Sequence, residues 1–363
     1  MKVFFHVQHL LGIGHLKRAA VLARALAAAG FDVTLASGGL PVPGVVPPQV
    51  KLVQLPPLAA EDASFKHLVD ASGRRVDEAW KERRRDFLLQ NYSSFNPQVL
   101  LVELFPFGRR QLRFELEPLL AQARGRALIV CSVRDLIQDK PARHAEMLAA
   151  AERDFDQVLV HGDARLAVFP LAAQLGGKLH YTGYVVDEPP AAGEAGKGEV
   201  LVSAGGGAVG HRLLETALRA RSLSALRERP WRVLTGVNGP KLTGIAEKNL
   251  FIETARPDFT TLLRNCEVSV SQGGYNTVME TLQARARAVL VPFAAQGESE
   301  QTERARLLAK RGLAQVLEET ELSPAKLAAA IERAMAQPRP AAGAVDLDGA
   351  RRSAGLLKSW LRA

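Results

Sequence analysis

Cysteine is scarce in this chain, with Cys131 and Cys266 the two among 363 residues. They lie in separate apolar stretches, which excludes a disulfide framework and a cysteine-based metal site and suits a reducing compartment. Aromatic residues are also few, at 6%, and no nucleic-acid-binding module is recognisable, so no nucleic-acid partner is expected. No apolar run approaches the ~18 residues of a membrane-spanning helix, which excludes an integral helical membrane protein. The opening MKVFFHVQHLLGIGH has one lysine, and its apolar stretch runs into His6, His9 and a glycine turn with no small-residue cleavage site. It reads as a first strand, and the expected location is cytoplasmic.

What the chain does have is an ordinary globular composition, 47% hydrophobic and 23% charged, and enough length for two domains at roughly 150 residues each. Its 47 basic against 38 acidic residues leave a net charge of +9. That balance favours anionic partners such as nucleotide phosphates or phospholipid.

Short apolar runs alternate with longer amphipathic stretches rich in Ala, Leu and Arg, the pattern of βα units around a parallel sheet. The first series is KVFFHVQ (2–8), DVTLAS (32–37), VKLVQL (50–55), QVLLVEL (98–104), ALIVCSV (127–133) and QVLVHG (157–162). The aperiodic segment DEPPAAGEAGKG (187–198) reads as a linker. After it come EVLVSAG (199–205), WRVLTG (231–236), NLFIET (249–254), EVSVSQ (267–272), AVLVPF (288–293) and AQVLEE (314–319). The expected fold is α/β, two tandem doubly wound Rossmann-like domains facing a central cleft, with ligands at the carboxyl ends of the strands. The expected domains are 1–188 and 189–349, with a last helix, 350–363, free to pack back on the first. The charged segment from Phe65 to Asn91 has a helical period and reads as a helix with a solvated face.

Three places carry candidate chemistry. At the first, Gly12 and Gly14 bracket a turn before a long helix, and His15 stands where strand gives way to helix. A histidine there either aims into a cleft as a general base or merely caps the helix. Glu103 closes an apolar strand, where a lone carboxylate is costly; it is either the partner that orients His15 or a salt-bridge partner of Arg109 or Arg110.

At the second, Gly205, Gly206 and Gly207 follow a strand and open onto a helix, offering backbone N–H groups to an anion, most simply a diphosphate. At the third, a strand reaches Ser271 and Gln272, Gly273 and Gly274 form another phosphate-sized turn, and Asn276 and Thr277 begin a helix. One turn on, Glu280 is placed to accept hydrogen bonds from ribose hydroxyls. Glu300 and Gln301 follow the next strand, either as a pair suited to binding several hydroxyls or as a plain solvated helix start.

The ordered set of Gly205 to Gly207, then Ser271 to Thr277 with Glu280, then Pro292 and Glu300-Gln301, resembles the donor domain of nucleotide-sugar glycosyltransferases of the two-Rossmann-domain (GT-B) type. The likeness is nearest to the branch containing the peptidoglycan lipid-linked N-acetylglucosaminyltransferase. The turn Gly12-Ile13-Gly14-His15 with Arg18 is similar both to those transferases and to the UDP-sugar hydrolase of pseudaminic acid synthesis. The resemblance implies that the loops at 205–207 and 273–274 hold the diphosphate, that Glu280 binds the ribose, and that Glu300 with Gln301 contacts the donor sugar. Gly14 falls with that donor-binding set, while His15 is implied as base for the attacking hydroxyl, with Glu103 as its acidic partner. It implies an inverting, metal-independent transferase without a cofactor, using a UDP-linked sugar as co-substrate, since glycine loops and helix N-termini can neutralise the leaving diphosphate.

Two departures stand out: the usual proline after the N-terminal histidine is absent, with Lys17 and Arg18 there, and the acceptor-side motifs of the peptidoglycan enzyme are not evident. The acceptor is left open between a small molecule and a lipid-linked sugar, and UDP-sugar hydrolysis, epimerisation and non-catalytic binding are the rival activities. Phe105, Phe107 and Phe114 beside Arg109, Arg110 and Arg113 are either a patch for an anionic acceptor or the inner membrane face, or core aromatics with a solvated basic rim. His161 and Tyr184 end strands and either line the cleft or pack. Asp346-x-Asp348 reads as incidental.

Overall fold

The central apolar runs become parallel strands buried on both faces of their sheets, whereas the edge strands keep exposed residues such as Leu52 and Phe251. The computed structural model describes all residues except 63–64, 138–140, 167, 190, 207–209, 237–238, 241, 243–246, 294–299 and 363. Two units are distinct, the first Met1–Val185 with Asp348–Ala363 and the second Val186–Leu347.

The first unit runs β1 (Lys2–Val7), α1 (Gly14–Ala28), β2 (Asp32–Ser37), β3 (Lys51–Gln54), β4 (Ala59–Ala60), β5 (Leu68–Val69), α2 (Glu78–Phe95), β6 (Val99–Glu103), α3 (Arg113–Ala123), β7 (Leu128–Arg134), α4 (His144–Asp154), β8 (Gln157–His161), α5 (Ala172–Leu175) and β9 (Leu179–Tyr181). Its seven-stranded parallel sheet has the order β3-β2-β1-β6-β7-β8-β9. Alternate residues go to opposite cores. Val3, Phe5, Leu101 and Val99 meet Leu16, Leu22 and Leu26 of α1, whereas Phe4, Leu100 and Val102 meet Leu88 and Tyr92 of α2 and Leu116 and Leu119 of α3.

The last helix, α11 (Gly349–Trp360), belongs to this unit: Ala354 and Leu357 complete the α1 core, and Arg352 Nη1 donates to the Thr182 carbonyl at 2.8 Å. Gly349 is required at its start, because a β-carbon there would stand 2.3 Å from the Gly183 carbonyl oxygen.

The segment 65–91 departs from expectation. Its beginning is the second strand of the β4–β5 antiparallel pair, and the helix starts only at Glu78, where the Asp77 side chain caps Trp80 N–H at 2.8 Å. Nor is its charge wholly solvated, since Arg84 is fully buried against Glu115 of α3.

The second unit runs β10 (Val200–Ser203), α6 (His211–Arg221), β11 (Trp231–Leu234), β12 (Leu250–Glu253), α7 (Phe259–Asn265), β13 (Val268–Ser271), α8 (Tyr275–Gln283), β14 (Ala288–Leu290), α9 (Glu300–Lys310), β15 (Gln315–Val316) and α10 (Pro324–Met335). Its parallel sheet has the order β12-β11-β10-β13-β14-β15. Val200, Val202, Trp231 and Val270 pack with α6 and α10 through Leu214, Ala217, Leu327 and Ile331.

In each sheet the strand order reverses direction at one place, between β1 and β6 and between β10 and β13. Connections leave such neighbours toward opposite faces, so the carboxyl ends there open a crevice.

Candidate functional site

In the first unit that crevice is where His15 and Glu103 meet. Because β1 and β6 pair in parallel, with His6 opposite Val102, the turn after β1 and the last residue of β6 emerge side by side. The turn enters α1 at Gly14, so His15 is the second residue of the helix, and its Nδ1 lies 2.7 Å from Glu103 Oε1. Arg18, one turn along α1, donates through Nη2 to the same carboxylate oxygen. Glu103 and Arg18 are almost wholly buried, while the His15 side chain keeps 15% exposure. Arg109 contributes charge, and its Nε donates to the Gln8 carbonyl at 3.2 Å.

The protonation follows from these contacts. Burial depresses the His15 pKa to about 3; Glu103 opposes this, and Arg109 and Arg18 reinforce it. Burial pushes the Glu103 carboxyl up, but His15, Arg18 and Arg109 together hold it well below the usual carboxylate range. At neutral pH the imidazole is therefore neutral and the carboxylate charged. Nδ1 carries the proton and donates it to Glu103, which leaves the lone pair on Nε2. The turn after β6 is held in a costly backbone conformation, with Leu104 at φ +68° and Arg109 at φ +57°, both left-handed.

Two buried networks support this end of the sheet. Ser132, opposite Glu103 in the β6–β7 register, meets His161 Nε2 at 2.8 Å, and His161 Nδ1 meets Thr182 Oγ1 at 2.9 Å. His161 and Tyr184 are both buried within the first unit, which favours packing of the two alternatives. Arg84 links Glu115, the Gly38 carbonyl at 2.8 Å and Gln8 Oε1 at 2.8 Å, while Gln8 Nε2 donates to the His9 and Leu58 carbonyls. The chain leading into the Gly14 turn is thus anchored from below.

In the second unit, the loops after β10, β13 and β14 meet. Gly205 takes φ +62°, which favours glycine, and a β-carbon on it would stand 3.6 Å from Thr277 Oγ1. Gly205 and Gly206 are exposed, and Gly207 lies outside the described residues. A β-carbon on Gly273 would stand 3.2 Å from Gln301 Cβ and 3.4 Å from Pro292 Cβ. Gln301 Oε1 accepts from Phe293 N–H at 3.2 Å. Ser271, Gln272, Gly273 and Glu300 are buried, whereas Gly274, Asn276, Thr277, Glu280 and Gln301 are part-exposed. Gly274 gives α8 no side-chain cap, so its first amides suit an anion.

Arg304 is the residue the motifs did not single out. It is buried on α9, its Nη1 donates to the Gly273 carbonyl at 3.4 Å, and its guanidinium lies 5.3 Å from the Tyr275 ring. One turn after Glu300, its position on the same helix face was the available signal. Arg18, three residues after His15, was legible in the same way.

The aromatic and basic stretch resolves into core and rim. Phe105 and Phe107 are buried against Phe155 and Phe169, and Arg110 and Arg113 pair with Glu146. Asp348 pairs with Arg351 at the start of α11. Among the described residues no three His, Cys, Asp or Glu side chains converge as a metal site requires, and no helix is long and apolar enough to cross a membrane.

Two α/β units, each built on a parallel sheet with one strand-order reversal, have the fold of the two-Rossmann-domain, or GT-B, nucleotide-sugar glycosyltransferases. The spinosyn forosaminyltransferase aligns over 100% of both chains with a TM-score of 0.70 at 17% identity. The spinosyn rhamnosyltransferase complexed with thymidine diphosphate aligns over 99% of this chain and 100% of that one, at a TM-score of 0.64 and 17% identity.

Within that class, residues 238–346 match the glycosyltransferase family 28 C-terminal domain, a span that includes the Gly273 turn, Glu280, Glu300 and Gln301. A UDP-N-acetylglucosamine–N-acetylmuramyl-(pentapeptide) pyrophosphoryl-undecaprenol N-acetylglucosamine transferase of Methylibium petroleiphilum is 30% identical over 182 residues, 44% of this chain and 49% of that protein. The protein of the same name from Geobacillus kaustophilus is 33% identical over 141 residues, 38% of this chain and 39% of that one. The chain therefore spans about half the length, or less, of these relatives.

Proposed function

We propose that this chain is a glycosyltransferase that moves a sugar from a nucleoside diphosphate donor, UDP-linked, to an acceptor hydroxyl with inversion. The observation that carries the reading is the His15–Glu103 hydrogen bond, which commits Nδ1 and leaves Nε2 as the base. His15 takes the proton of the acceptor hydroxyl as its oxygen attacks the anomeric carbon. The bond to the diphosphate oxygen breaks on the opposite side, and Glu103 stabilises the imidazolium that forms.

The second unit supplies the donor seat in this reading. Gly205, Gly206 and Gly207, the Gly273–Gly274 turn and the first amides of α8 hold the diphosphate, with Ser271, Gln272, Asn276 and Thr277 around it. Glu280 takes the ribose hydroxyls, and Glu300 with the Gln301 amide takes the sugar. Uridine is supported by the relatives' names, and the thymidine diphosphate complex of a structural neighbour makes thymidine the next candidate. The same names support a lipid-linked acceptor, with which a location at the inner membrane face agrees.

A thermal-shift screen against UDP, TDP, GDP, ADP and their sugar conjugates tests the donor reading. A ligand at 100 times its dissociation constant stabilises by about 2.7 kcal/mol, enough to move the midpoint by a few degrees in a chain of this size. A selective shift with UDP supports it; no shift with any nucleotide overturns it.

A further inference from the structure

We propose that Arg18 is a positioning residue for His15: by sharing Glu103 Oε1 it keeps the carboxylate charged and the imidazole neutral, with Nε2 as the basic atom. The inference rests on the reading of His15 as general base.

Three charged or chargeable groups share a buried place here. Arg18 and Glu103 are 3% and 2% exposed, and His15 and Arg18 approach Oε1 from successive turns of α1, Nδ1 at 2.7 Å. A buried carboxylate beside a neutral imidazole leaves one uncompensated negative charge, which is costly. Without a further cation, that charge is cancelled by drawing a proton onto the ring, giving an imidazolium with no lone pair for the acceptor. Arg18 cancels it permanently, because a guanidinium does not release its proton in this range. It also stands 3.4 Å from His15 Nδ1, where a second positive charge opposes protonation of the ring.

The other groups facing this cluster act differently. Arg109, from the turn after β6, pushes the His15 equilibrium in the same direction as Arg18 and more strongly, whereas Arg18 acts more strongly than Arg109 on Glu103, the carboxylate to which it donates directly. His161 on β8 lies in the field of Arg18 and Glu103 and is itself kept neutral by burial. Cys131 on β7 feels Glu103 and stays a thiol. Lys17, next to Arg18 on α1, is exposed.

The test is an NMR titration of the His15 ring in the wild type, Arg18→Met and Arg18→Lys, with His15→Gln used to assign the signal among eight histidines. In the wild type the ring is expected to be neutral and Nδ1-protonated at pH 7. In Arg18→Met its titration midpoint should rise by about one pH unit or more, a tenfold gain in proton affinity, and Arg18→Lys should bring it back. If turnover is in hand, the acid limb of kcat/KM should move up with it while the alkaline plateau is largely kept. A purely structural role would lower the whole profile and leave the midpoint in place. An unchanged midpoint and tautomer in a folded Arg18→Met protein, judged by circular dichroism, overturns the proposal. Because the titration uses no substrate, a wild type that turns over no sugar nucleotide would refute the transferase reading separately.

Discussion

Arg84 of α2 and Glu115 of α3 form a two-point ion pair with no solvent exposure, Nε to Oε2 at 2.6 Å and Nη2 to Oε1 at 2.9 Å. Removing one partner strands a buried charge, which costs about 3–5 kcal/mol. Arg84→Met is therefore expected to lose that much in urea unfolding. The double variant Arg84→Met, Glu115→Leu should recover part of it, since no carboxylate is then left unpaired although the Gly38 carbonyl and Gln8 Oε1 lose their donor.

Stability should fall on acidification, starting well above the carboxylate range. His15 and His161 are each held at a pKa of about 3, whereas in the unfolded chain they take up protons near 6.5. Between those values the unfolded state binds more protons, so stability declines as pH drops, by about 1.4 kcal/mol per pH unit for each histidine. Below about pH 4.5, Glu115, held at about 2, and Glu103, held lower still, add to the loss. Urea unfolding at pH 7, 6, 5 and 4 measures the slope. His161→Gln should reduce it between pH 6 and 5, with His15 and the histidines His9 and His180, also lowered by burial, supplying the remainder.

His15→Gln and Glu103→Gln are expected to lower kcat on the order of 100- to 10,000-fold, the first by removing the base and the second by releasing the ring from its tautomer. Nucleotide affinity should stay within about twofold of wild type in both. A large loss of affinity with kcat retained would place these residues in binding instead.

The opposite split is expected in the second unit. Glu280→Ala should weaken nucleotide binding by about 10- to 100-fold, the scale of lost hydrogen bonds to a charged group, with a smaller effect on kcat. Arg304→Met should do the same indirectly, by freeing the Gly273 carbonyl and the Tyr275 ring. Isothermal titration with the selected diphosphate reads both. Equal affinity in wild type and Glu280→Ala sinks the ribose assignment.

Much of the fold could be read from the sequence because burial on both faces turns the central parallel strands into apolar runs such as VLLVE. β4, β5 and β9 could not, since their two or three residues have no longer apolar run around them, as β14 has in AVLVPF. The reading of α2 had the helix but missed its start and its buried face, for a different reason. Charge surrounds that helix, and its buried face is a single row, Arg84, Leu88 and Tyr92, whose first member is itself charged.

In the site, the glycine turns were legible because each lies between a strand and a helix, His15 because it follows such a turn, and Glu103 because a carboxylate ending an apolar strand needs a reason. Which partner Glu103 takes depends on β1 and β6 being neighbours, 96 residues apart in register, and that is a property of strand order and not of spacing. Position on the helix face singles out Arg18 and Arg304, but what each does follows only once its carboxylate or carbonyl partner is placed.

The most direct test is to follow release of nucleoside diphosphate from a panel of UDP-sugars by wild type and His15→Gln, with and without a lipid-extract acceptor. The account predicts release that depends on acceptor, that transfers the sugar to it with inverted anomeric configuration, and that is lost in His15→Gln while UDP still binds. Release at the same rate without acceptor, yielding free sugar, would contradict glycosyl transfer and make the chain a hydrolase.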